Sequence, residues 1–381
     1  MTVSAERPAA DRVGGPLERA WRAERERQQN EVVPSGARVL VSCSAPPGSG
    51  GLGRHLQEIL GALDRGGCET SSISGPIQAL PGSRPRALKR LSLELAAPPA
   101  RVSPSWRTWR ASAAFDAHAA ARLGHAEHLI AFNGQAIDQL RLARTLGYES
   151  LALVSANSHV RHLLRRHDEA HRRHPLERSW AARLLDRNLR EYECAERIYV
   201  ASQYVRESFL AEGVPEERIA LFPLTPAPRY RPARTRNDSS TFDVVYVGAL
   251  SVIKGVPLLI EAIARVAHSD LRLVLVGGAG SRGMRRYLAA ASQQDPRIRI
   301  APGDPLPHLH RARLCVHPAY EDGFAYAPAE ALACGVPVVV SEDTGMKELI
   351  GPGDGLVVPS GDVAALVEAI EQAYRGGSFG G

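Results

Sequence analysis

No run of about 18 apolar residues interrupts this 381-residue chain, so no segment is long enough to cross a bilayer as a helix. The opening stretch MTVSAERPAADRVGG lacks the apolar core of a secretory signal, from which a cytoplasmic setting is expected. Cysteine is sparse. Cys43, Cys68, Cys194, Cys315 and Cys334 are odd in number, scattered and never spaced as Cys-x-x-Cys, which argues against a disulfide framework and against structural zinc. Aromatic residues make up only 6% and do not interleave with the arginines, so no nucleic-acid module is read and no nucleic-acid partner is expected.

What is present fits a soluble α/β protein. Hydrophobic residues reach 44% and charged residues 23%, and the length exceeds one ordinary core, so two domains of roughly 150–200 residues are expected with a cleft between them. The net charge of +6 is uneven: residues 241–381 hold 12 Lys and Arg against 15 Asp and Glu, so the basic excess lies in the first half. Such a surface suits solvated helix faces, and it also allows peripheral contact with anionic lipid or an acidic acceptor.

The chain reads as two strand-and-helix series. Residues 1–36 are polar and read as an extension. From Ala37 the run ARVLVSCSA has the bounded, β-branched character of a buried strand, and GSGGLGRHLQEILGAL turns through glycines into an amphipathic helix. Strand candidates follow at AEHLIAF, ESLALVSA, ERIYVAS and RIALFPL, giving a domain over 37–223. A Pro/Arg-rich linker is read at 224–240. A second domain over 241–381 carries strands at FDVVYVGA, RLVLVGG, RIRIAP, RLCVHPA and VPVVVSE. Alternation of this kind predicts doubly wound parallel sheets, which place ligands at the carboxyl ends of their strands.

The most informative segment is His317-Pro318-Ala319-Tyr320-Glu321-Asp322-Gly323-Phe324-Ala325-Tyr326-Ala327-Pro328-Ala329-Glu330. It leaves a strand, crosses a glycine turn and enters a helix, with Pro328 and Glu330 placed in the first helical turn. Backbone amides at Gly323, Phe324 and Ala325, at a helix N-terminus, form a cradle suited to a diphosphate. Glu330 can accept bonds from ribose hydroxyls, and Asp322 on the loop can reach a sugar. The same two acids serve equally well as a helix-capping pair.

This segment resembles the signature of retaining GT-B glycosyltransferases of family 4, also called glycosyl transferases group 1. In that family two acids are separated by seven intervening residues and followed by an EA-x-ACG-x-PVV sequence. Asp322 and Glu330 have the separation and Glu330 to Val339 the continuation, with Asp322 where the family has Glu and Glu321 just before it. Val247 to Gly255 is similar to the family's phosphate-binding loop, with Lys254 at its lysine position and Ala249 at its arginine position. Ala249 weakens leaving-group stabilisation unless Ser251 or another arginine compensates. Gly51 and Gly53 match a glycine loop near donor phosphate or acceptor, and His159 a strand-end histidine near the donor sugar. Further similarity lies at 191–202, 212–215 and 344–348 in the same chain order. The family commonly ends in a helix that crosses back to the first domain, for which RGGSFGG offers no sequence.

The resemblance implies a GT-B fold, two Rossmann-like domains facing a central cleft, and an enzyme of class EC 2.4. It would move a hexosyl-type unit from a nucleotide diphosphate sugar to a hydroxylated acceptor, whether small molecule, lipid or glycan, with retention of configuration. Lys254 and the 323–325 amides would hold the diphosphate, Glu330 the ribose, and Asp322 or Glu321 with His159 the sugar. No Asp-x-Asp motif occurs, so no metal and no cofactor are expected beyond the donor itself. The Arg165 to His174 cluster lacks acids or cysteines spaced for a metal and reads as a solvated helix. Two other readings share the architecture: a non-catalytic nucleotide-sugar sensor or assembly subunit, and a nucleotide-sugar epimerase.

Overall fold

The computed structural model describes residues 35–75, 104–233 and 241–376, so the N-terminal extension up to residue 34, the linker from 234 and the tail from 377 lie outside the described residues. The chain divides into two compact units between Leu224 and Thr225. Among the described residues no helix is long and apolar enough to cross a membrane.

The first unit alternates β1 (Arg38–Cys43), α1 (Gly50–Arg65), β2 (Glu69–Ser74), α2 (Pro104–Ala120), β3 (His128–Phe132), α3 (Ile137–Thr145), β4 (Ser150–Ser155), α4 (Val160–Arg173), α5 (Leu185–Cys194), β5 (Arg197–Val200), α6 (Gln203–Leu210) and β6 (Ile219–Leu221). Among the described residues its six strands are ordered β2-β1-β3-β4-β5-β6, all pairs parallel. Inner strands are apolar on both faces because helices cover both; β3 is buried at every position. The edge strand β2, ETSSIS, is largely exposed, and its polar residues hide it from a hydrophobic reading of the sequence. Leu40, Leu129, Leu140, Leu153, Ile198 and Phe209 form the centre of one apolar cluster.

The second unit runs β7 (Phe242–Val247), α7 (Val256–Arg265), β8 (Leu271–Val276), α8 (Arg282–Gln294), β9 (Ile298–Ile300), α9 (Leu306–Leu309), β10 (Leu314–His317), α10 (Tyr326–Ala333), β11 (Val338–Ser341), β12 (Gly355–Val358) and α11 (Val363–Tyr374). Strand order is β12-β11-β10-β7-β8-β9, again fully parallel. From β7 the chain winds outward through β8 and β9, then returns to place β10 on the other side of β7. That reversal is the switch point at which doubly wound sheets bind ligands. Helix α11 packs within this unit: Tyr374 stacks on His268 with ring centroids 3.7 Å apart and donates to Asp270 at 2.7 Å.

Gly255 caps α7 from a left-handed conformation with φ of 70°, and an added Cβ would lie 1.8 Å from the Pro318 carbonyl oxygen. The loops leaving β7 and β10 can therefore touch only if this position has no side chain. Gly255→Ala is expected to lower stability by about 3 kcal/mol or more. Gly278→Ala, whose Cβ meets nothing within 4 Å, should be near neutral in the same thermal denaturation series.

Candidate active site

In the second unit β10 pairs with β7 through Leu314 with Val244 and Cys315 with Val245, so the loops at their carboxyl ends emerge side by side. Tyr320 N donates to Ile253 O at 2.9 Å and stitches the two loops together. Lys254 comes from the first loop and Asp322 from the second. The Lys254 Nζ lies 2.9 Å from Asp322 Oδ2 and donates to the Glu321 carbonyl at 2.9 Å. Asp322 Oδ2 also accepts from His317 Nε2 at 3.0 Å, while its Oδ1 accepts from the Ala325 amide at 3.0 Å. The Asp322 backbone is fixed as well, N to Asp343 O at 3.0 Å and O from Gly345 N at 2.9 Å.

Burial opposes ionisation of Asp322, yet Lys254 and then His317 outweigh it and hold the carboxyl well below the usual carboxylate range. For Lys254 burial likewise works against the charge, and Asp322 followed by Glu321 overcomes it, raising the pKa. Both groups are thus charged near neutrality. Their side chains are 25% and 21% exposed, enough for a ligand to reach them.

The structure brings Lys254, Glu321, Asp322, Gly323, Phe324, Ala325 and Glu330 into this one loop-and-helix system. It separates the two neighbouring acids: Asp322 pairs with the lysine, whereas Glu321 is only 1% exposed and offers Lys254 its carbonyl. The amide cradle is partly occupied by the protein, because Ala325 N already serves Asp322. Helix α10 begins at Tyr326, so Glu330 is its fifth residue and lies in the second turn, a correction to the placement expected from Pro328. A capping box needs its acid at the third position, so Glu330 is not a capping residue. Asp322 bonds the amide of Ala325, the residue just before the helix, and not an amide of the helix itself. Glu330 is 1% exposed, near Cys315 and Cys334, whose thiols burial and then its charge push up to about 12 and about 11.

Sequence reasoning passed over His317 and Tyr246. His317 ends β10, is 3% exposed, and stacks on the buried Tyr246 with ring planes 2° apart and centroids 5.7 Å apart. Tyr246 OH donates to Ala249 O at 2.8 Å, which fixes the loop after β7. A histidine closing an otherwise apolar strand five residues before Asp322 was the available signal.

The first-unit residues have different surroundings. His159 caps α4: its Nδ1 accepts from Arg161 N at 3.3 Å, and its own amide donates to Ser208 Oγ at 2.9 Å. Its ring packs against Tyr192 and Phe209, and burial pushes its pKa down to about 4, leaving it neutral at pH 7. Gly51 and Gly53 lie inside the first turn of α1. A Cβ at Gly53 would come 2.1 Å from Pro46 O, so the protein's own turn requires that glycine; Gly51 is exposed and open. On α4 the expected solvated face is only partial, since His167 and His174 are buried and His167 stacks on His171. Nearby, Glu191 binds the Gly134 and Ala136 amides and Asp116 those of Asp138 and Gln139, pinning the turn after β3. Among the described residues no group of three or more His, Cys, Asp or Glu is arranged to hold a metal.

Two parallel-sheet units with these strand orders define the GT-B class, and comparison with solved structures agrees. Sucrose-phosphate synthase from Thermosynechococcus elongatus superposes with a TM-score of 0.65 at 20% identity, covering 90% of this chain and 91% of that one. Anabaena HepE in complex with UDP gives 0.59 at 16% identity, covering 90% and 92%. Residues 241–375 match the family model described as Glycosyl transferases group 1. D-inositol 3-phosphate glycosyltransferase of Pseudarthrobacter chlorophenolicus is 30% identical over 195 residues, 48% of this chain and 45% of that protein. The chain thus spans less than half the length of this curated relative. The family model and the relatives together support the group 1 glycosyltransferase family.

Ala325 is the one non-glycine residue with positive φ among the described residues, at 68°. Ala325→Gly removes that strain and is expected to raise stability by up to about 1 kcal/mol in thermal unfolding. The sign of the Asp322 shift fixes a second outcome. A carboxyl whose pKa falls on folding stabilises the fold above the ordinary aspartate pKa, and the gain is lost as pH drops through the folded value. Asp322→Asn should therefore cost about 3 kcal/mol near neutrality, with the deficit shrinking below about pH 4. A deficit independent of pH would show that the charge is immaterial.

Proposed function

We propose that the chain is a glycosyltransferase that takes a hexosyl-type unit from a nucleotide diphosphate sugar and delivers it to a hydroxyl acceptor with retention of configuration. The observation that carries this reading is the ionised Lys254 and Asp322 pair at the switch point of the second unit. That position is where doubly wound sheets bind nucleotides, and a charged lysine there is the countercharge a departing diphosphate needs. The family match over 241–375 and the UDP complex of the HepE neighbour point the same way.

In this reading the donor's diphosphate lies over the turn at 322–325 and draws the Lys254 ammonium from Asp322. Negative charge then grows on the leaving oxygen as the anomeric carbon–oxygen bond breaks, and Lys254 stabilises that charge. The acceptor hydroxyl bonds to the same face of the sugar, and its proton passes to the leaving phosphate oxygen. Asp322 orients a sugar hydroxyl, and Glu330 binds the ribose. With Lys254 as countercharge the proposal requires no metal.

Lys254→Met is expected to lower the transfer rate by ~10²–10³, the loss typical of one charge-assisted donor to a developing anion. Transfer is followed as nucleoside diphosphate released from a panel of sugar nucleotides with and without acceptor. Release that depends on acceptor fits a transferase and excludes an epimerase; a Lys254→Met rate within about twofold of wild type would remove the assignment.

A further inference from the structure

Asp322 Oδ2 has two donors of different kinds, Lys254 Nζ at 2.9 Å and His317 Nε2 at 3.0 Å. Lys254 sits on a loop and ends a flexible stem. His317 is the last residue of β10, 3% exposed, and its ring is clamped in parallel against Tyr246. Among the described residues its buried Nδ1 has no hydrogen-bond partner, and the bond to Asp322 is the one polar attachment of the ring. We infer that His317 is a positioning residue that keeps the Asp322 carboxylate solvated by a protein donor while Lys254 leaves it for the diphosphate. This rests on the function proposed above.

The physical argument concerns the cost of exchange. One ammonium cannot serve Asp322 and an incoming diphosphate in full, and stripping a partly buried carboxylate of its partners is strongly unfavourable. A second donor held by the strand removes most of that cost. The lysine can then change partners at low expense, and Asp322 stays aimed at the sugar, its Oδ1 still tied to Ala325 N. Without His317, Asp322 would retain Lys254 and compete with the donor. The loss should therefore appear in diphosphate affinity, and only while residue 322 carries a charge.

The test is a double-mutant cycle read by calorimetric titration of the full chain with UDP, GDP and ADP, using whichever binds wild type, and with the corresponding monophosphate. His317→Phe retains an aromatic ring against Tyr246 and loses the donor. It is expected to weaken the diphosphate about tenfold and the monophosphate less than about threefold, as a broken charge-assisted bond predicts. His317→Gln, which restores an N–H, should recover most of the affinity. In an Asp322→Asn background His317→Phe should have little further effect on diphosphate binding. Equal losses for diphosphate and monophosphate, or full additivity with Asp322→Asn, would overturn the inference and leave the proposed function standing. If Lys254→Met does not weaken the diphosphate, or if no nucleotide binds wild type at millimolar concentration, the proposed function fails and this inference with it.

Discussion

An ammonium and a carboxylate withdrawn from bulk water are stable only in each other's company, and in the second unit Lys254 and Asp322 meet from loops 67 to 68 residues apart in the chain. Their meeting is a consequence of topology. Because the strand order runs β12-β11-β10-β7-β8-β9, the carboxyl ends of β7 and β10 are neighbours, and the loops that leave them cannot avoid one another. The glycine at 255 lets the two backbones close to contact, and Tyr320 N holds Ile253 O across the join. The pair is therefore built into the sheet, and the chemistry proposed for it depends on that sheet.

Within the pair the protein has satisfied the Asp322 carboxylate before any ligand arrives. Asp322 accepts from Lys254, His317 and Ala325 and is anchored through both backbone atoms, so its carboxylate has a fixed direction. Preorganisation of this kind is what makes a charge effective in a transition state, since nothing has to reorient as the leaving group departs. The strain at Ala325 fits the same picture: a non-glycine residue held at positive φ persists only where its surroundings dictate the backbone. Here they do, through Asp322 Oδ1 on one side and the Met346 amide bonded to Phe324 O on the other.

Most of the fold could be read from the amino acids because buried parallel strands are apolar on both faces and stand out between helical segments. What escaped was polar or short: β2, whose sequence is ETSSIS, and β12, of four residues, both at sheet edges where burial imposes little pattern. The site was legible in part for a related reason. Lys254, Asp322 and Glu330 carry chemistry in their side chains and stand in a recognisable order, whereas the contribution of His317 and Tyr246 comes from two strands lying side by side. No local spacing records that. The helix start was misplaced because Pro328 can occupy any position of a first turn, and the structure uses the third. Gly53 has a requirement that no spacing records, since a Cβ there would meet Pro46 O within the protein's own turn.

The most direct measurement is a crystal structure of the full chain with a nucleoside diphosphate bound. The account predicts Lys254 Nζ within hydrogen-bond distance of a diphosphate oxygen, Glu330 on the ribose, and Asp322 still bonded to His317. A nucleotide bound elsewhere, or a lysine still paired with Asp322 beside an occupied pocket, would contradict it.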